Sequence, residues 1–64
     1  MIATIHPPAV GDFRTFGPFG PKYEILRILT DPASGEKSCE VRVIESGEQA
    51  AIPFVRVADD PEAK

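Results

Sequence analysis

Lys37–Glu45, KSCEVRVIE, is the stretch whose reading decides the fold. Cys39, Val41 and Val43 fall on one side of an extended chain, and Glu40 and Arg42 share the other. Successive side chains of a strand point to opposite faces, so this alternation is the pattern of a half-buried β-strand. A turn signal and a further apolar run lie on each flank. Upstream, KYEILRILT (22–30) leads into DPASGE (31–36); downstream, SGE (46–48) leads into QAAIPFVRV (49–57). The simplest arrangement is an antiparallel meander with KSCEVRVIE in the middle.

The upstream run is the most apolar. Tyr23, Ile25 and Leu29 share one face of a strand, which Arg27 interrupts, while Leu26 and Ile28 share the other with Glu24. Both faces are therefore partly apolar, the pattern of a strand covered on two sides. The aliphatics also fit a helical stripe. The run is short and lies between Gly-Pro and Asp-Pro, which favours a strand. In DPASGE, Asp opens a turn, Pro presets the next residue and Gly supplies a positive φ near the exit. Ser46-Gly47 reads as a second, tighter hairpin turn.

Further out the signals are shorter. DFRTF (12–16) reads as a short strand with Phe13 and Thr15 facing one way, Arg14 and Phe16 the other. The tandem FGPFGP (16–21) that follows cannot hold a regular ladder, because its prolines withhold donors and fix φ. Residues 53–58 read either as a strand, from Val55 and Val57, or as a helical turn opened by Pro53. Asp59-Asp60-Pro61-Glu62 has the form of a helix start: a capping Asp, then Pro, then an acid.

These readings define a mainly β fold: a small antiparallel meander of three to four strands, with curling into an SH3-like barrel as an option. A short C-terminal turn or helical stub completes it. Strands are expected at 12–16, 23–30, 38–45 and 49–52. The expected core is Phe16, Tyr23, Ile25, Leu26, Ile28, Leu29, Cys39, Val41, Val43, Ile52 and Phe54. Residues 1–11 form an extended lead-in broken by Pro7-Pro8, residues 12–58 a single domain, and residues 59–64 a tail. Ile2 and Ile5 are optional core contacts of the lead-in, and His6 has no second ligand near it.

A 64-residue chain is one small domain. Chains of this size bury about 60% of their unfolded surface, and the core alone rarely supplies more than about 3–5 kcal/mol. One cysteine excludes an internal disulfide, and one cysteine with one histidine argues against a structural zinc site. Association is the remaining supplement, so a homodimer through an open sheet edge is expected. No metal, cofactor or catalytic residue is expected.

The net charge of −3 is unevenly spread: residues 1–30 carry +1 and residues 31–64 carry −4. An acidic chain does not attract phosphate backbones as a whole. MIATIHPPAV lacks a basic start and a long apolar run, so no secretory signal is expected, and no stretch approaches a membrane span. A lone cysteine then points to a reducing cytoplasm. Cys39, on the apolar side of its strand, reads as a small buried hydrophobe.

Catalytic constellations fail one by one. Glu45 and Glu48 flank an exposed hairpin tip and read as solvated charge. The hydroxyl residues have only His6 as an imidazole base, in the proline-bounded lead-in. Gly17 and Gly20 fit neither GxxxxGK[ST] nor GxGxxG. The sharper feature is aromatic. Phe13, Phe16, Phe19 and Tyr23 lie close together, interleaved with Arg14 and Lys22. The bland reading is core, since a chain without Trp needs its phenylalanines inside. Exposed, the set Phe13, Arg14, Phe16, Phe19 and Lys22 is a candidate partner-binding surface.

The favoured function is a non-enzymatic protein-interaction module that binds another protein or itself. The alternative is a nucleic-acid-associated role, including an antitoxin-like regulatory accessory protein, in which aromatics stack bases beside cations. The acidic charge weighs against it.

GDFRTFGPFGPKYEILRI (11–28), VRVIESGEQAAIP (41–53) and the closing DDPEA (59–63) resemble a family of short bacterial proteins classed as a domain of unknown function. The elements that carry the resemblance are Phe16-Gly17, Gly20-Pro21, Tyr23-Glu24, Glu45-Ser46-Gly47-Glu48 and Asp60-Pro61-Glu62-Ala63. It implies a bacterial, cytoplasmic setting and transfers no activity and no catalytic residue.

Overall fold

The computed structural model describes residues 7–62. The expectations for Ile2, Ile5 and His6, and for the end of the tail at Ala63 and Lys64, lie outside the described residues. Four antiparallel strands run in the order of the chain, followed by one short helix: β1 (Phe13–Thr15), β2 (Lys22–Thr30), β3 (Lys37–Val43), β4 (Gln49–Pro53) and α1 (Phe54–Asp59). The mainly β meander is thus the architecture, with β3 between β2 and β4. The sheet is open and does not close into a barrel: β1 and β4 are its two edges.

β2 explains its own mixed sequence. Tyr23 pairs with Val43 and Ile25 with Val41, but the next pairs are Arg27 with Glu40 and Ile28 with Cys39. Leu26 is therefore an extra residue, a β-bulge that reverses which face each later side chain takes. Arg27 turns to the outer face, where Nε lies 2.7 Å from Oε1 of Glu40, and Ile28 turns in toward the core. Leu29, expected inside with Tyr23 and Ile25, consequently faces out and is 42% exposed. Leu26 and Val43, also expected in the core, are half-buried. A second ion pair, Arg42 Nη2 to Glu24 Oε1 at 2.9 Å, adds to the charged outer face.

The two hairpin turns are built alike. Asp31 N–H donates to Glu36 O at 2.8 Å and Gly35 N–H to Asp31 O at 2.7 Å; Val43 N–H donates to Glu48 O at 2.8 Å and Gly47 N–H to Val43 O at 2.7 Å. Gly35 and Gly47 both have φ of +77°, a conformation costly for a residue with a Cβ. Ser34 and Ser46 each accept from the N–H two residues on, at Glu36 and Glu48. The second turn is thus no tighter than the first. β3 ends at Val43 rather than Glu45, because Ile44 and Glu45 belong to the turn.

The ambiguous segment after Ile52 is a helix. Pro53 pairs with Ser38 as the last residue of β4 and, at φ −59° and ψ 142°, enters α1. Its ring presets the φ that a helix entry needs. Helical spacing puts Phe54 and Val57 on the sheet and leaves Val55 75% exposed. Val57 joins Tyr23, Ile25, Cys39 and Val41 as a fully buried core residue, with Phe16, Ile28, Ile52 and Phe54 packed around them. The apparent helix start at Asp59-Asp60-Pro61 is a helix end. Asp60 is extended (φ −74°, ψ 142°), the conformation that a following proline demands. No helix among the described residues is long and apolar enough to cross a membrane.

Candidate functional site: the Phe19 loop and its anchor

The loop between β1 and β2 is fixed at its base. Phe16 N–H donates to Pro21 O at 3.1 Å, closing the six residues into a ring, and the Thr15 hydroxyl donates to Gly17 O at 2.7 Å. The Phe16 and Tyr23 rings stack at a centroid distance of 4.4 Å, tilted by 40°. Gly20 passes directly over Phe16: a Cβ there would stand 1.9 Å from the Phe16 carbonyl oxygen. Glycine is the side chain this closure admits.

Beneath the loop lies a buried polar cluster. Asp60 is 5% exposed and Arg14 4%. Asp60 Oδ2 accepts from the Tyr23 hydroxyl at 2.8 Å, and Oδ1 accepts from Gly17 N–H at 3.1 Å. Arg56 Nε stands 3.6 Å from Oδ1 of Asp60. Arg14 Nη1 donates to the carbonyls of Asp60 at 2.7 Å and Val57 at 3.2 Å, the carbonyls that end α1. Arg14 Nη2 is 3.9 Å from Oε2 of Glu62. A buried guanidinium and a buried carboxylate are stable here because each is held by several polar partners. Burial, then the hydrogen bond and negative charge of Asp60, push the Tyr23 phenol well above the ordinary tyrosine range. Burial also raises the Cys39 thiol, with the charge of Arg14 opposing. A buried thiol so shifted is a poor nucleophile.

The five candidate partner-binding residues are split by this arrangement. Arg14 points into the polar cluster, and Phe16 is half-buried on Tyr23. Phe13 and Lys22 are exposed, and Phe19 stands at the loop with 97% of its surface exposed. The arrangement takes Arg14 and Phe16 inward and leaves Phe13 and Lys22 together on the outer face, where Phe13 stands opposite Glu24 and Lys22 opposite Thr15. Asp60 and Val57 were not among the expected site or core residues. The available signals were the Asp-Pro junction, which ends helices, and the helical spacing of Phe54 and Val57.

Elsewhere, a shallow groove of about 490 Å³ opens between the first turn and the start of α1, lined by Gly35, Glu36, Lys37, Pro53, Phe54 and Val55. Lys37 Nζ lies 5.5 Å from the Phe54 ring centroid, a cation–π contact on its wall. The groove offers one acid and one base but no hydroxyl, thiol or imidazole. Among the described residues no three His, Cys, Asp or Glu side chains group as metal ligands would.

The family of unknown function DUF5397 has a model that matches residues 1–64, the whole chain. The chain belongs to that family. The family, like the resemblance read from FGPFGP and ESGE, carries no stated activity. No curated protein matches the chain.

Proposed function

We propose that this member of the DUF5397 family is a non-enzymatic protein-interaction module whose contact point is the loop carrying Phe19. The observation that carries this reading is the 97% exposure of Phe19 on a loop closed by Phe16 N–H to Pro21 O and rooted on Asp60. A large apolar ring held in water on a fixed loop gains most by entering a partner's pocket. Because the loop is already ordered, binding costs little conformational entropy. The partner is another protein or a second copy of the chain. The free, buried Cys39 fits a reducing cytoplasm.

The nucleic-acid alternative, including an antitoxin-like role, has the acidic charge of the chain against it. Base-stacking surfaces set cations beside exposed rings. Arg14 is interior, which leaves Lys22 as an exposed cation on the face of Phe13, and the net charge is −3.

A photo-crosslinking phenylalanine analogue at position 19, compared with the same analogue at exposed Val55, tests the reading in the source cells. One discrete protein adduct from position 19 and none from position 55 is expected. Equal labelling from both positions, or none from 19, overturns it. Micromolar binding of labelled oligonucleotides that weakens as salt rises would put the nucleic-acid reading in its place.

A further inference from the structure

We infer that the outer edge of β4 pairs antiparallel with the same edge of a second copy, joining two sheets about a two-fold axis at Ala50. The surface is separate from the Phe19 loop, so this inference does not rest on the reading above.

The two sheet edges are treated differently. β1 is covered by the chain's own C-terminal segment: Thr15 N–H donates to Pro61 O at 3.1 Å, and Arg14 bridges with Glu62. β4 is the terminal strand on the other side, and among the described residues nothing pairs with its outer edge. Natural edges are usually blunted by charge, by bulges or by proline. Gln49–Pro53 contains no charged residue and pairs with β3 without a bulge, so Pro53 is its one blunting feature.

The hydrogen-bond phase tells which groups point outward. Val43 and Glu48 form a hydrogen-bonded pair, so Val41–Ala50 and Cys39–Ile52 do likewise, two residues at a time. The N–H and C=O groups of Gln49 and Ala51 therefore face away from β3, as does the carbonyl of Pro53. With two copies related about Ala50, Gln49 of one copy stands opposite Ala51 of the other. Both residues then donate and accept, and no outward group of either is left over. The pattern is its own complement, as a two-fold interface requires. Pro53 lies outside this set, so its missing N–H costs nothing.

Side chains fit the same register. The pair on the axis is the non-hydrogen-bonded kind, with Cα atoms about 4.5 Å apart, and Ala50 against Ala50 suits so close an approach. The Ser46-Gly47 turn of one copy then lies beside the Pro53–Phe54 end of the other, where the groove opens. Glu48 comes near the Lys37 of its mate, an acid beside a base. The dimer leaves both Phe19 loops free, since these sit between β1 and β2 on the far side of the sheet.

Sedimentation equilibrium of the full chain and of Ala51→Pro tests the pairing. Proline at 51 removes an outward N–H and none that β3 uses. The wild type is expected at twice the 6.9 kDa chain mass at micromolar concentration, and Ala51→Pro at the single mass with an unchanged circular dichroism spectrum. Should the variant unfold, amide exchange on the wild type decides: Gln49 and Ala51 must become at least tenfold slower when the protein is concentrated. A wild-type chain that stays at the single mass to high micromolar concentration overturns the inference. So does a folded Ala51→Pro that remains dimeric. Phe19→Ala should leave the dimer intact, so the loop and the edge fail or succeed separately.

Discussion

The Tyr23 hydroxyl donates a 2.8 Å hydrogen bond to Oδ2 of Asp60, tying the second strand to the residue that ends the helix. The two are far apart in sequence, and both are buried. Through Asp60 Oδ1 and Gly17 N–H the same carboxylate also holds the Phe19 loop. One side chain thus orders the helix end, the sheet and the candidate binding loop together.

Asp60→Ala should be strongly destabilising. It leaves the buried Tyr23 hydroxyl without its acceptor, at about 1–3 kcal/mol, and the half-buried Gly17 N–H without its own at a smaller cost. That is much of what a domain this small possesses. Asp60→Asn keeps an acceptor oxygen and should cost less. Urea denaturation ranks the two, and an Asp60→Ala protein within about 0.5 kcal/mol of wild type would show that the cluster carries no stability.

Stability should fall on the alkaline side. The folded chain holds the Cys39 and Tyr23 protons above their ordinary pKa values of 9.0 and 10.0. The unfolded chain releases them first, so it binds fewer protons as pH rises and unfolding becomes easier. The contribution is fully present below about pH 9 and is lost as pH rises beyond that, first through Cys39 and then through Tyr23. Tyr23→Phe should flatten the part above about pH 10. Urea midpoints measured from neutral to alkaline pH would expose an error if the two proteins gave parallel profiles.

Gly20→Ala should open the Phe19 loop. The added methyl meets the Phe16 carbonyl at 1.9 Å, so the backbone must move and the Phe16–Tyr23 stack with it. A loss of about 1–3 kcal/mol is expected, the cost of overpacking. Phe19→Ala, at the exposed position, should change stability by less than about 0.5 kcal/mol. Equal effects from the two substitutions would mean that the loop is not held as described.

Val41→Asp and Arg27→Ala should differ sharply. Val41 is fully buried at the centre of the sheet, and an unpaired carboxylate there should unfold the domain. Arg27 is 65% exposed in its pair with Glu40, so its loss should cost about 0.2–1 kcal/mol at most. A Val41→Asp protein that melts within a few degrees of wild type would place this face in solvent.

The strands were legible because their signals are local. Alternation in KSCEVRV, the Asp-Pro and Ser-Gly turns and the short connections specify neighbours and direction without reference to the rest of the chain. The limits of local reading show at Leu26. Strict alternation places Arg27 among the core residues; a bulge avoids that only by choosing a register against β3, where Glu40 waits for the guanidinium. At Val55 and Val57, β-propensity pointed one way, and the packing of Phe54 and Val57 onto the sheet decided for a helix.

The candidate site was legible as a list of residue types and not as an arrangement. Phe19 and its Gly-Pro frame are visible in the sequence, but whether an aromatic faces solvent depends on what else covers it. Arg14 shows this most clearly. Beside two phenylalanines it resembles a surface cation, yet it sits inside because the carbonyls at the end of α1, some forty residues on, need a donor there. By itself the sequence determined a small, acidic, mainly β meander with two glycine-bearing turns and one unpaired cysteine, since composition and short-range periodicity carry that information. Only the tertiary structure decided the bulge at Leu26, the C-terminal helix, the polar cluster of Arg14, Tyr23 and Asp60, and the contrast between a covered and an open sheet edge. Each of these depends on groups distant in the chain satisfying one another's hydrogen bonds or covering one another's surface, and no local pattern encodes which distant group will be there.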